Sequence, residues 1–110
     1  MENNQGEILH SVQDDIIEKL KTVYDPEFPL VDIFTMGLIY DVKVDEEVKV
    51  CVITMTFTTP ACPMADLLME MVRNAVLEAV PTREVDVTVS FEPMWTPKMI
   101  KDEDLQRMFE

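Results

Sequence analysis

The sequence predicts a two-layer α/β sandwich in which two helices cover one face of a small sheet. Its 110 residues suffice for one modest hydrophobic core and hardly for two. The periodicity of the apolar residues changes along the chain in the order helix, strand, strand, helix, strand. A three-stranded sheet cannot bury both of its faces by itself, and helices on one face are the simplest way to complete it. We therefore expect a single domain over residues 1–110, with its core at about 8–97 and a tail at 98–110.

The first helix is predicted over residues 8–24, where apolar side chains recur at three- and four-residue steps and charged side chains fill the other face. It should stop at Tyr24 or Asp25, because Asp25 precedes a proline and such a residue avoids the α region. The segment that follows, 25–37, is predicted to be an ordered loop. Gly37, at the turn into the next strand, is expected to adopt a positive φ.

The remaining elements follow from alternation and from proline positions. Leu38–Val44 and Val48–Thr58 alternate or are rich in β-branched residues, and a short acidic turn joins them into a predicted hairpin. Pro63–Val80 has a helical apolar face and is followed directly by another proline. A third strand is predicted from Val85 to Phe91, and a short last helix over residues 102–109.

The composition is that of a globular protein with a strongly acidic surface. Acidic residues outnumber basic ones by 22 to 9, and the net charge is −13. Such a surface repels a phosphate backbone or an anionic bilayer, so nucleic acid and membranes are not expected partners. No apolar run approaches the roughly 20 residues of a membrane span. The N-terminal segment lacks the basic and apolar regions of a secretory signal, which leaves the cytoplasm as the expected compartment.

Cys62 stands between Pro60 and Pro63, directly before the second predicted helix. Because Pro63 suits the first position of a helix, Cys62 is predicted to be the N-cap residue. Its sulfur would then lie at the positive end of the helix dipole, an environment that lowers the pKa of a thiol. The alternative is a small apolar residue that fills a corner of the core. On this local pattern the functional interpretation is favoured.

The second cysteine, Cys51, is predicted to be inert because it lies in mid-strand between two valines. From there to the end of the strand is roughly 23 Å at ~3.3 Å per residue. The two thiols should therefore neither form a disulfide nor share a metal within one chain. With His10 as the only histidine, a complete site of four protein ligands is not encoded.

Two carboxylates, Asp25 and Glu27, flank Pro26. Paired carboxylates could serve acid–base chemistry or bind a metal. A turn with one capping and one solvated side chain explains them as well, and taken alone it is the preferred interpretation.

Threonines and one tryptophan could line or cover a mouth near Cys62, although strand alternation and core packing produce the same pattern. These residues are Thr54, Thr56, Thr58, Thr59 and Trp95.

Three segments together point to a known family. They are DPEFPLVDIFTMGLIYDV at 25–42, TTPACP at 58–63 and VSFEPMWTP at 89–97. In this order and spacing they resemble the SufT-like metal–sulfur cluster biosynthesis family, bacterial relatives of a eukaryotic cytosolic iron–sulfur assembly factor. The chain departs from that family at its tail, where QRMFE replaces a usual Leu-Gly ending.

The resemblance implies an α/β fold of the iron–sulfur cluster assembly domain type and a role in maturing iron–sulfur proteins. It places Cys62 and Thr59 in the family's T-x-x-C-P motif, and Asp25 and Glu27 in its acidic motif. The resemblance therefore favours a functional role for both carboxylates. One branch of relatives serves multicomponent oxygenases. Its members tend to carry a cysteine-rich C-terminal extension that is not present here.

Our leading hypothesis is an accessory factor in iron–sulfur cluster assembly or delivery, and not a turnover enzyme. Cys62 would contact transient iron, a cluster or a client thiolate, while Thr59, Asp25 and Glu27 lie near the site. The missing ligands would come from a client apo-protein, another assembly protein, a small thiol or a second copy in a homodimer. Two alternatives stay open: a thiol-dependent enzyme with Cys62 as nucleophile, and a metal-free adaptor, for example for a multicomponent oxygenase.

Overall fold

The computed structural model describes residues 11–26 and 28–109, and it contains the predicted elements in the predicted order together with two additional short strands. The helices are α1 (Val12–Leu20), α2 (Ala65–Ala79) and α3 (Glu103–Phe109). The strands are β1 (Tyr24–Asp25), β2 (Phe28–Asp32), β3 (Ile39–Asp45), β4 (Val50–Met55) and β5 (Glu84–Val89). A short 3₁₀ turn spans Pro97–Met99.

The main sheet has the order β3-β4-β5, with β4 in the centre. β3 and β4 form the predicted antiparallel hairpin, in which Val42 lies opposite Ile53. β5 returns parallel to β4 after the crossover through α2, so that Val87 also lies beside Ile53. Side chains of one face of this sheet and of both long helices share a single core; its fully buried members include Ile16, Leu20, Ile53, Leu68 and Val72. The predicted two-layer fold class is confirmed.

The first helix is shorter than predicted. Ser11 is its N-cap, with an extended backbone and a capping box: its Oγ accepts a hydrogen bond from the Asp14 N–H at 3.1 Å, and its own N–H donates to the Asp14 carboxylate at 3.4 Å. A helix running from residue 8 through Ser11 is therefore wrong, and residues 8–10 themselves lie outside the described part of the chain. At its other end α1 stops at Leu20, four residues before the predicted end.

The predicted loop at 25–37 contains regular structure. β1 and β2 pair antiparallel, with Tyr24 opposite Asp32, to form a small second sheet. The Ile33 N–H also donates to the Val23 carbonyl at 2.8 Å. The pre-proline position of Asp25 favours extended backbone, and here that geometry is used for strand pairing instead of a loop.

Gly37 has the predicted positive φ, at +82°. A Cβ at this position would collide with the Met99 carbonyl, so the close approach of two backbone segments also requires glycine. We call residues 93–101 the C-terminal strap. It crosses this turn and is held by the Lys101 N–H, which donates to the Thr35 carbonyl at 2.8 Å. Ile100 of the strap is 1% exposed and belongs to the core.

Among the described residues, none of the helices combines the length and the apolar character needed to span a bilayer.

Candidate functional site

The candidate site is built on the connection between β4 and α2. After β4 ends, the Thr56 N–H donates to the Leu38 carbonyl at 2.8 Å, and Phe57 is buried against the ring of Phe91, with 6.3 Å between ring centroids. The next four residues, 58–61, are exposed, and Cys62 returns to a half-buried position. We call residues 58–63 the cysteine loop. The loop starts beside the contact between the Phe57 and Phe91 rings and returns to the core at Cys62.

Cys62 is not the N-cap residue of α2. Met64 is the N-cap residue, with φ −101° and ψ 18°, and it makes no side-chain capping bond. Cys62 lies two residues earlier, where its carbonyl accepts a hydrogen bond from the Ala65 N–H at 3.4 Å. The predicted N-cap role of Cys62 is wrong, because Pro63 occupies a turn before the helix instead of its first position. Cys62 therefore lies two residues before the position on which the electrostatic prediction was based.

Cys62 combines two features that the sequence leaves as alternatives, contact with the core and partial access to solvent. Its side chain packs against the hydrophobic core, and it is neither sealed inside the core nor fully exposed. The prolines on each side, Pro60 and Pro63, restrict the backbone that carries it. The sulfur therefore sits at a fixed place on the surface of the core.

Thr59 shapes the cysteine loop from within. Its side chain is exposed, and its Oγ1 accepts a hydrogen bond from the Ala61 N–H at 3.3 Å. This local bond is a turn of the kind that serine and threonine form with a backbone amide two residues on. Thr59 thus sets the path of the chain into Cys62.

The acidic pair can be placed only in part. Asp25 is 5% exposed and ends β1, two residues after the core residue Val23. Burying a carboxylate is costly without compensating interactions, so this residue is not an ordinary surface aspartate. Glu27 lies outside the described residues.

The structure identifies a single thiol at this surface instead of a complete metal site. Within 11–26 and 28–109, no three histidine, cysteine or acidic side chains are grouped so that they could hold a metal ion. His10 lies outside that part of the chain. Iron–sulfur clusters are commonly held by four ligands, so an iron ion or cluster bound at Cys62 would be cargo that a second molecule helps to hold.

Cys51 has the opposite environment. It is fully buried in β4, and its placement in the core is confirmed. Burial raises the pKa of the Cys51 thiol, and the nearby Arg83 guanidinium only partly opposes that shift. Cys51 is therefore suited to packing and is a natural control for experiments on Cys62.

Thr56 and Trp95 do not line a mouth around Cys62, whereas Thr58 and Thr59 are exposed on the cysteine loop itself. Thr56 is fully buried, and its Oγ1 has no hydrogen-bond partner among the described residues, so its predicted place at a mouth is wrong. Thr54 is half-buried on β4. The indole of Trp95 donates to the Met36 carbonyl at 2.8 Å and meets Phe109 edge-on, so this residue anchors the strap.

Sequence reasoning missed the aromatic base of the loop. Phe57 and Phe91 lie in different predicted strands, and their contact brings the start of the cysteine loop beside the start of the strap. The available signal was position: Phe57 directly precedes TTPACP, and Phe91 lies in VSFEPMWTP. Two of the three segments that carry the family resemblance, far apart in sequence, meet at these rings.

Comparisons with known proteins place this geometry in context. A family model described as "Iron-sulfur cluster assembly protein" matches residues 13–91, a range that contains Asp25 and Cys62. The chain is 43% identical over 91 residues to an Fe-S protein maturation auxiliary factor of Porphyromonas gingivalis, covering 83% of this chain and 85% of that protein. It is 36% identical over 78 residues to the Fe-S protein maturation auxiliary factor SufT of Staphylococcus aureus, covering 71% of this chain and 86% of that one.

A solved structure has the same fold. It is a DUF59 domain from Bacillus anthracis, with a TM-score of 0.78 and 34% identity, and the superposition covers 88% of this chain and 90% of that one.

Proposed function

The chain belongs to the iron–sulfur cluster assembly protein family, and from that membership we propose that it is an accessory factor in the maturation of iron–sulfur proteins. Two of its relatives are named as auxiliary factors of that process. The observation that carries the proposal for this chain is the placement of Cys62: a half-buried thiol, outside any disulfide, in a loop bounded by prolines. A single thiol at a fixed surface position is suited to binding iron or a cluster together with ligands from another molecule, and not to holding a cofactor alone.

In this proposal the Cys62 sulfur, as thiolate, contacts iron, a cluster or a client thiolate. The remaining ligands come from an assembly protein, a client apo-protein, a small thiol or a second copy of the chain. Thr59 holds the loop in the shape that presents the sulfur, through its bond to the Ala61 N–H. Asp25, buried at the end of β1, and Glu27 are the carboxylates proposed to support the site. The cluster passes through as cargo, so no resident cofactor is proposed.

The partners follow from the same chemistry. They are iron–sulfur assembly proteins and apo-proteins that await a cluster. The net charge of −13 disfavours nucleic acid and anionic membranes. Neither Cys51 nor Cys62 is in a disulfide, which fits a reducing compartment, and we propose the cytoplasm. The role is that of a carrier or adaptor without turnover of its own.

Anaerobic reconstitution tests the role of Cys62. Wild type, Cys62→Ala and Cys51→Ala are incubated with ferrous iron, sulfide and glutathione, and iron and acid-labile sulfide are measured per chain after desalting. We expect wild type and Cys51→Ala to retain similar amounts and Cys62→Ala to lose most of both. Thermal unfolding of each variant shows whether a loss reflects misfolding.

Two outcomes would contradict the proposal. Equal cluster content in wild type and a folded Cys62→Ala would remove this thiol as a ligand. A loss confined to a folded Cys51→Ala would exchange the roles of the two cysteines.

A further inference from the structure

A groove formed by two neighbouring cavities lies between helix α2 and strand β5, at the edge of the sheet remote from β3. One cavity of about 410 Å³ lies toward the start of β5, and a second of about 280 Å³ lies further along it. Arg73 and Asp86 line both cavities, which places them side by side. Leu77 and Val85 contribute apolar surface to the first cavity, and Met69 and Val87 to the second.

One wall of this groove is an open sheet edge. Within the part of the chain that the structure describes, β5 pairs only with β4. Its parallel ladder begins with the Glu84 N–H donating to the Lys49 carbonyl and ends with the Ser90 N–H donating to the Met55 carbonyl. In a parallel ladder alternate residues bond to the neighbouring strand. The backbone N–H and C=O groups of the even-numbered residues of β5 therefore point toward β4. The N–H and C=O groups of Val85 and Val87 consequently point outward. Across the described residues no hydrogen bond reaches these outward amides.

The opposite edge of the sheet is protected in a way that this one is not. The side chain of Gln13, on α1, donates to the Val42 carbonyl of β3 at 2.6 Å. That contact occupies a backbone acceptor on the β3 edge. An unprotected strand edge is a template for pairing with another chain.

The charge of the groove specifies the partner. Four carboxylates line it, from Asp66 and Glu70 on α2 and from Glu84 and Asp86 on β5. Of the two arginines there, Arg83 is already bonded to the Glu46 carboxylate at 2.7 Å. Arg73 alone is then left to offset four acidic groups, and the groove is suited to cationic side chains.

We propose that β5 is a docking edge to which an extended segment of a partner protein adds as a further strand. The segment alternates lysine or arginine with apolar residues. Its backbone pairs with Val85 and Val87, its apolar side chains lie over the groove toward α2, and its cations lie opposite Glu84 and Asp86. Strand addition of this type takes affinity from main-chain hydrogen bonds and specificity from alternate side chains.

A second copy of this chain is a poorer occupant. Edge-to-edge pairing of two β5 strands would bring Glu84 and Asp86 of one copy beside those of the other, and like charges across strands are destabilising. The net charge of −13 on each chain adds to that repulsion.

Hydrogen exchange with a designed probe tests the docking edge. The probe is a capped peptide of alternating lysine and valine, about as long as the six residues of β5. We expect the amides of Val85 and Val87 to exchange rapidly in the free protein and to be protected once the peptide is added. The inward amides of Asp86 and Thr88 should be protected in both states. The same peptide N-methylated on its pairing residues should protect neither valine.

Charge reversal provides a matched pair of variants. Asp86→Lys, on the β5 edge, should weaken peptide binding about fivefold to tenfold, because an attractive cross-strand pair becomes repulsive. Asp41→Lys makes the same change on an exposed side chain of β3 and should leave the affinity unchanged. Cys62→Ala should also bind like wild type, since this proposal does not rest on the proposed role of that thiol.

Three results would overturn the proposal. The first is a peptide affinity that Asp86→Lys and Asp41→Lys lower equally. The second is equal protection of Val85 and Val87 by the N-methylated peptide. The third is protection that rises with protein concentration in the absence of peptide, which would identify a second copy as the occupant.

Discussion

At the scale of single residues, the environment of each side chain decides its chemistry more than its identity does. Cys51 and Cys62 are the same residue type, yet one is fully buried in a strand and the other is half-buried on a loop. Asp25 is buried, whereas Asp41 is exposed on β3. The candidate functional residues Cys62 and Asp25 stand out because a cysteine is usually buried and an aspartate is usually exposed.

The ion pair between Glu46 and Arg83 makes stability depend on pH at this scale. A hydrogen bond from the Arg83 guanidinium lowers the pKa of Glu46 below its usual 4.5, and coulombic attraction from Arg83 and Lys49 adds to the effect. A lowered pKa in the folded state means that the stabilisation is present above pH 4.5 and is lost as pH falls below it. We therefore expect Glu46→Gln to be less stable than wild type near pH 7 and to approach it on acidification, as measured by urea unfolding at several pH values.

Solvent exposure keeps the stability difference between Glu46→Gln and wild type small. Glu46 is exposed, so the difference at pH 7 should be small and should shrink further in high salt. A gap that widens as the pH falls below 4.5 would contradict the assigned direction.

At the scale of elements, local hydrogen bonds decide where each helix begins. The starts of the first two helices were predicted too early: α1 begins after Ser11 and α2 begins after Met64. Ser11 satisfies the first turn of α1 with a capping box, whereas α2 begins after Met64 with no side-chain cap. A side-chain cap therefore stabilises the start of α1, whereas the N-cap residue of α2 supplies none.

Removing the cap of α1 should be measurable. Ser11→Ala deletes the acceptor for the Asp14 N–H, and we expect a loss of about 1 kcal/mol in the free energy of unfolding. Ser11→Asn keeps a capping oxygen and should stay near wild type. Equal stability of Ser11→Ala and wild type in denaturant unfolding would show that the capping box contributes little.

At the scale of the whole molecule, the C-terminal strap completes a core that the sandwich alone leaves open. Ile100 is 1% exposed, and the Met99 carbonyl lies against Gly37. The family match ends at residue 91, so the strap and α3 lie beyond it while the strap still contributes to the core. The aromatic contact between Phe57 and Phe91 connects the base of the cysteine loop to this region.

Two truncations separate the strap from the last helix. Ending the chain after Lys101 removes α3, whose Leu105 and Phe109 are only partly buried against the core, and should cost less than the longer truncation. Ending it after Pro97 also removes Ile100 and the backbone bond to Thr35, and should cost about 2–4 kcal/mol, seen as a lower Tm. If both truncations had the same Tm as the full chain, the strap would not be part of the folding unit.

The sequence by itself determined the order of the helices and of the three strands of the main sheet, the fold class, the turn at Gly37, the core placement of Cys51 and the family resemblance. These features rest on periodicity and on short motifs, which are local properties of the chain. Only the tertiary structure decided that Cys62 lies two residues before the N-cap residue of α2, that Asp25 is buried in a small second sheet, and that β5 lies parallel to β4 with an open edge. Each of these depends on competition between hydrogen bonds or on contacts between distant segments, and a pattern of neighbouring residues does not contain that information.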